Sequence, residues 1–210
     1  MATRVKICGI TRVADAQLAA TFGAYAIGMV FWDESPRVVD AAHAAALTQD
    51  LPAAVQRVGV FVDAQPGQVA DVMRRVRLDV AQLHGAELLD GFLPIGIRLF
   101  KSTGLGSPAA FADALEMPDD VTPIVDACDP IRRGGTGRLA DWAAAARLAV
   151  ARPIILAGGL TPANVGEAIR QVRPWAVDVS SGVEDGPGVK SPRKLEQFFA
   201  AVAAADEGMP

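Results

Sequence analysis

The chain has 210 residues, 51% of them hydrophobic, and 20 lysines and arginines against 24 aspartates and glutamates give a formal net charge of −4. That is enough for one sizeable core, and charge spread without long blocks of either sign argues against a nucleic-acid or membrane-surface partner. No apolar run reaches the ~18 residues that cross a bilayer, the first residues MATRVKICGI carry charge and no cleavage signal, and a soluble, cytoplasmic protein is expected.

Two cysteines, Cys8 and Cys128, lie far apart in sequence, and a reducing compartment would keep both as thiols. A disulfide framework or a cysteine zinc site is therefore not expected.

Read for period, eight short β-rich runs alternate with alanine-rich helical stretches. In the first run, RVKICGI (residues 4–10), alternation puts Lys6 and Cys8 on one face and Val5 and Ile7 on the other. The apolar pair should meet helices, leaving Lys6 and Cys8 to point inward. A free cysteine usually packs as a small hydrophobe, so at this point Cys8 is either core or chemistry.

A helical stretch, VADAQLAATFG (13–23), leads to the second run, AIGMVFW (26–32), and then to SPRVV (35–39). Arg37 in that loop is placed either to hold an anionic group bidentately or to sit in solvent. His43, in the next helical stretch, is expected on a helix surface. The third run, QRVGVFVD (56–63), and the helical PGQVADVMRRVR (66–77) precede DVAQLHG (79–85), where Gln82 and His84 share a face. His84 reads as a hydrogen-bonding residue rather than a base.

GIRLFKST (96–103) is followed by VTPIVDAC (121–128), which puts Ile124 and Asp126 on one face. Asp126 either caps a turn or belongs to a site. The next segment, RRGGTGRLADW (132–142), lacks the full nucleotide-loop pattern and reads as a flexible loop before the helical LADWAAAARLAV (139–150).

The seventh run, RPIILAGG (152–159), ends in Gly158 and Gly159, after which Thr161 and Pro162 read as a cap and first position of the helical TPANVGEAIRQV (161–172). The eighth, WAVDVSSG (175–182), puts Ala176, Asp178 and Ser180 on one face and ends in Ser180, Ser181 and Gly182. Asp178 reads as the structural ion partner of Lys6 rather than as a catalytic group. SPRKLEQFFAAVAAA (191–205) is the final helical stretch.

Eight β-then-α units of about 26 residues predict a compact, single (β/α)8 TIM barrel as one domain over 1–210, with an open doubly wound sheet as the alternative. Barrel active sites lie at the C-terminal ends of the strands. Polar groups from four strands converge there, although an unpaired buried polar group costs roughly 1–3 kcal/mol. That convergence favours a site, and the glycine-rich ends of strands seven and eight suit a phosphate held by backbone N–H groups.

In this order, KICGIT, SPR, QLHG, VDAC with GGTG and DW, AGGLTPANV and VDVSSGVEDGPGVK resemble the phosphoribosylanthranilate isomerases of tryptophan biosynthesis, over essentially the whole chain. The resemblance implies a (β/α)8 barrel without metal or organic cofactor. It further implies an Amadori rearrangement of N-(5′-phosphoribosyl)anthranilate, with Cys8 as general base, Asp126 as general acid and Arg37 as clamp for the anthranilate carboxylate. Gly158 and Gly159, with Ser180, Ser181 and Gly182, become the phosphate grips, and Asp178 joins the substrate contacts. The expected partner is one small phosphorylated substrate, bound by a monomer or homodimer.

Chemistry adds two demands. Cys8 needs its thiolate favoured, by Lys6 or a helix N-terminus, and Asp126 needs to hold its proton, through burial or negative neighbours. Arg138 and Leu139, where the family often has lysine and an aromatic, and the KSPRKL start of the last helix are small departures. They bear on loop closure and the last helix cap.

Two alternatives differ in observable ways. The related histidine-pathway isomerase would show aspartate in place of Cys8 and two phosphate-binding halves, whereas FVDAQPG and QLHG end strands three and four here. A non-catalytic phospho-sugar-binding barrel would not need Cys8, Asp126 and Arg37 together.

Overall fold

The computed structural model describes residues 2–127 and 140–208. Eight parallel strands close into a barrel in which each pairs with the next and the last returns to the first. They are β1 (Arg4–Ile7), β2 (Ala26–Val30), β3 (Gln56–Phe61), β4 (Val80–Leu83), β5 (Arg98–Thr103), β6 (Val121–Val125), β7 (Ile155–Leu156) and β8 (Ala176–Val179). The closed barrel expected from the alternation is present and the open sheet is not.

Around it run α1 (Val13–Thr21), α2 (Ala41–Thr48), α3 (Pro66–Val76), α4 (Pro108–Leu115), α5 (Trp142–Ala151), α6 (Val165–Val172) and α7 (Pro192–Glu207). One connection departs from the eight-unit expectation. Between β4 and β5 stand two 3₁₀ turns, Leu89–Gly91 and Leu93–Ile95, instead of an α-helix. The segment LDGFLPIG explains this: Pro94 cannot supply a helical N–H, and Gly96, at φ 71, turns the chain out. The last helix forms behind Ser191, whose side chain makes no capping bond, with Pro192 at its first turn. His43 lies exposed on α2, as its position predicts.

Strand parity sorts the residues into two separate cores. Val5, Ile7, Ile27, Leu83, Leu99 and Val177 pack outward against the helices. Ala26, Val58, Val80, Phe100, Ile124, Ile155 and Ala176 form their own cluster inside the barrel. Two residues further along the same strand faces come Gln82, Ser102, Asp126 and Asp178, so an apolar floor gives way to a polar mouth. At that boundary Lys6 and Asp178, register partners across the β1–β8 seam, form a buried ion pair at 2.9 Å.

After β8 the chain adds an antiparallel hairpin, β9 (Glu184–Gly186) and β10 (Val189–Lys190), turned by Pro187 and Gly188. Sequence periodicity gives no sign of it, because each strand is two or three residues long. Among the described residues no helix is long and apolar enough to cross a membrane.

The opposite end of the barrel is tied by one side chain. Arg152, after α5, donates to the carbonyls of Ala114, Leu115, Met117, Pro118 and Val121 at 2.6–3.2 Å, fixing the turn from α4 into β6. Arg152→Ala should lower the free energy of unfolding in urea by about 2–3 kcal/mol. Activity at the far mouth should stay unchanged, because the two faces are separated by the barrel.

Candidate active site

A cavity opens at the C-terminal ends of the strands. Cys8, Arg37, Asp126, Asp178, Gly158, Gly159, Ser180, Ser181 and Gly182 all line it, so every residue selected from sequence for a site stands around one space. His84 and Gln82 line it as well.

Cys8 follows β1 directly, and Gly9, at φ 71, bends the chain away behind it. Room for the thiol comes from Gly28 on β2, where an added Cβ would lie 2.9 Å from Cys8 Sγ and 3.3 Å from Lys6 Nζ. Burial pushes the Cys8 pKa up; Lys6 and Lys190 pull it down without offsetting the rise, and Asp178 adds to it. Lys6 thus favours the thiolate, as expected, but burial outweighs it; its ammonium also pairs with Asp178 at 2.9 Å. Burial works against the Lys6 charge too, but Asp178 outweighs it and holds the ammonium above its ordinary value. The resting site therefore holds a thiol.

Asp126 follows β6 directly. Its backbone N–H donates to Thr103 at 3.0 Å, and its Oδ1 accepts from the Ala127 N–H at 2.7 Å. Burial raises its pKa against the opposing effects of His84 and the Ala127 N–H, which is the direction the sequence argument requires. His84 Nε2 lies 3.9 Å from Asp126 Oδ2, while its Nδ1 lies 2.6 Å from Ser102 Oγ, and Gln82 Nε2 donates to the same hydroxyl at 3.2 Å. Burial pushes the His84 pKa down. A neutral imidazole leaves Asp126 freer to keep its proton, consistent with the reading of His84 as a hydrogen-bonding residue.

Arg37 reaches the cavity from the segment after β2, but not as a free loop arginine. Its Nε and Nη2 donate to the two carboxylate oxygens of Glu184 at 2.9 and 2.6 Å. Burial alone would raise the Glu184 pKa; the hydrogen bond from Arg37 and the charge of Lys190 at 2.7 Å bring it below the ordinary range. Neither Glu184 nor Lys190 was singled out by sequence. Their signal is an acid and a lysine on either side of the turn residues Gly-Pro-Gly in EDGPGVK, legible only once that stretch is seen as a hairpin.

The two glycine-rich ends meet. Gly158 and Gly159 take φ 81 and 65, and a side chain at Gly158 would lie 2.9 Å from Asp126 Oδ1. A side chain at Gly182 would collide with the Leu160 carbonyl, which shows how closely the ends of β7 and β8 abut. Thr161 is not the helix cap expected from TPANV. Its N–H donates to Asn164 Oδ1 at 2.7 Å, and the Asn164 amide donates back to the Gly159 carbonyl at 3.0 Å, so Asn164 braces the loop and α6 starts one turn later. Cys128 and the GGTG stretch with Arg138 and Leu139 lie outside the described residues; Asp141, at the end of that segment, caps α5 by accepting from the Ala144 N–H at 3.0 Å.

Comparison with known proteins gives a consistent result. The family model for N-(5′-phosphoribosyl)anthranilate isomerase matches residues 5–201. The N-(5′-phosphoribosyl)anthranilate isomerase of Thiobacillus denitrificans is 46% identical over 98% of this chain and 100% of its own. The crystal structure of the Thermus thermophilus enzyme, 40% identical, superposes with a TM-score of 0.87 over 96% of this chain and 99% of that one. A crystal structure of the isomerase in complex with reduced 1-(o-carboxyphenylamino)-1-deoxyribulose 5-phosphate, 36% identical, has a TM-score of 0.85 over the same shares.

The abutting loops can be probed with a small anion. Inorganic phosphate at millimolar concentration should raise the thermal midpoint of the wild-type chain by binding the folded state alone. Gly182→Ala, which forces the loops apart at Leu160, should remove that response in a thermal-shift titration.

Proposed function

This chain belongs to the N-(5′-phosphoribosyl)anthranilate isomerase family, and on that premise we propose that Cys8 is the general base and Asp126 the general acid of its reaction. It catalyses the Amadori rearrangement of N-(5′-phosphoribosyl)anthranilate to 1-(2-carboxyphenylamino)-1-deoxyribulose 5-phosphate, a step of tryptophan biosynthesis. One observation supports the assignment above others: a thiol after β1 and a carboxyl after β6 whose pKa burial raises line one cavity between a guanidinium and two glycine-rich loops.

The substrate carries two anionic ends. Its phosphate goes to the loops at Gly158, Gly159, Ser180, Ser181 and Gly182, and its anthranilate carboxylate to the Arg37 side, with Asp178 on the wall between. Asp126 then protonates the furanose ring oxygen. The C1′–O bond breaks as the nitrogen lone pair forms a protonated Schiff base. Cys8, as thiolate, removes the proton at C2′, and the electron pair moves toward nitrogen to give an enolamine. Ketonisation completes the aminoketose.

The resting protonation fits this sequence in an unexpected way. The productive form needs Asp126 protonated and Cys8 deprotonated, while burial shifts both groups toward their protonated forms. A Schiff-base cation beside Cys8 favours the thiolate as soon as it forms, and the thiol proton passes to solvent before the thiolate takes the proton at C2′. We further propose that one barrel domain, 1–210, performs the reaction in the cytoplasm as a monomer or homodimer; the match over 96% of this chain and 99% of a related barrel supports the single-domain part of that reading.

Cys8→Ser should keep the fold and lose roughly 10²–10⁴-fold in kcat, since the hydroxyl cannot supply an anion near neutral pH. Asp126→Asn should match that loss, because the amide has no proton to give the ring oxygen. Near-normal turnover in either folded variant, followed by the disappearance of anthranilate fluorescence, would remove that residue from the mechanism.

The pH profile gives a second check. Loss of activity at high pH reflects removal of the one proton that Cys8 and Asp126 share in the productive form. Because the Cys8 pKa is raised, the basic limb of kcat/KM should lie above the ordinary thiol value of about 8.5. A basic limb below that value would show a thiolate already present in the free enzyme.

A further inference from the structure

The β9–β10 hairpin carries a lysine that no step above uses. Lys190 is 1% exposed, and its ammonium donates to the Cys8 carbonyl at 2.5 Å, the Ser180 carbonyl at 3.2 Å and Glu184 Oε1 at 2.7 Å. An ammonium has three protons, and all three are committed. The hairpin itself is fixed to the start of the chain: the Lys190 N–H donates to Asp15 Oδ2 on α1 at 3.0 Å, and Thr11 Oγ1 donates to the Gly188 carbonyl at 2.6 Å.

Each partner of that ammonium belongs to a different part of the site. Cys8 bears the thiol, Ser180 opens the loop after β8, and Glu184 grips Arg37 through both carboxylate oxygens. Packing alone does not call for a charge here, because an apolar side chain of similar volume is cheaper to bury than an ion pair. We infer that Lys190 is a positioning residue, fixing the thiol, the phosphate loop and the guanidinium clamp relative to one another from a single buried point. The inference rests on the reading of Cys8 as the base.

It has an electrostatic side as well. Cys8 faces Lys6 from β1, Asp178 from β8, Arg37 from the segment after β2 and Lys190 from β10, with Asp126 and His84 lining the same cavity. Lys6 is paired with Asp178 and Arg37 with Glu184. Lys190, also shared with Glu184, is the cation bonded to the cysteine's own carbonyl.

Lys190→Met keeps the length of the stem and removes all three donors. It should lower kcat/KM by roughly 10²-fold through both a raised KM and a reduced kcat. The titration of Cys8, followed through ¹³Cβ-labelled cysteine by NMR, should move to higher pH by about 1. Because Lys190→Met leaves the Glu184 carboxylate with one of its two buried cations, Arg37, Lys190→Met/Glu184→Gln is compared with Glu184→Gln alone; removing both charges should recover thermal stability while leaving the Cys8 titration displaced. A folded variant that loses only thermal stability, with kcat, KM and the Cys8 titration as in the parent, would reduce Lys190 to a structural ion and overturn the inference. Failure of the base assignment looks different: Cys8→Ser would keep turnover while Lys190→Met still displaced the titration.

Discussion

Two charges buried side by side, Lys6 and Asp178, set the conditions for everything above them in the barrel. They are register partners across the seam where β8 meets β1, 1% and 8% exposed, with 2.9 Å between nitrogen and oxygen. Taking such charges from water costs several kcal/mol each, and only close mutual geometry offsets it. The pair thus holds the two strands in one register and marks the level at which the apolar interior ends. Its ammonium, with that of Lys190, draws the Cys8 pKa down, but burial is the larger effect and carries it up.

Much of this organisation was legible in strand parity. Val5 and Ile7 outward, Lys6 and Cys8 inward, Gln82 with His84, and Asp126 above Ile124 follow from a period of two, and the barrel obeys it because each strand has one helix-facing and one interior face. What parity does not carry is the partner. Asp178 was readable as an ion partner of Lys6, but the Arg37 guanidinium was readable only as an anion holder or a solvated loop residue, because Glu184 lies 147 residues away. The protonation of Cys8 was not legible either, since it depends on how many strands exclude water around it. The missing helix before β5 could have been read from Gly91, Pro94 and Gly96, residues that punctuate the segment; a count of repeating units passes over them.

Absent side chains shape the site as much as present ones. Gly28 makes the space that the thiol occupies, and Gly158 lets the β7 end approach the Asp126 carboxyl. Gly182 lets the β8 end rest on the Leu160 carbonyl. The loops can come this close because Asn164 fastens the β7 end to the start of α6 with two hydrogen bonds. Polar groups around the mouth are therefore placed by backbone approach, and the helices outside serve mainly to press that backbone inward.

The fork between Arg37 and Glu184 has a consequence for which way round a substrate lies. Arg37 and Lys190 contribute two positive charges and Glu184 one negative, all locked together before any ligand arrives. That end of the cavity carries a surplus of one positive charge, which a single carboxylate neutralises and a doubly ionised phosphate would overshoot. At the other end, the loops at Gly158, Gly159, Ser180, Ser181 and Gly182 carry no charged side chain and impose no such one-to-one balance. The arginine's rotational freedom has been given up during folding, so the ligand meets a rigid plane and loses little by adopting it. On the proposed assignment of carboxylate to Arg37 and phosphate to the glycine-rich loops, polarity of binding is written as a mismatch in valence between the two ends of the cavity.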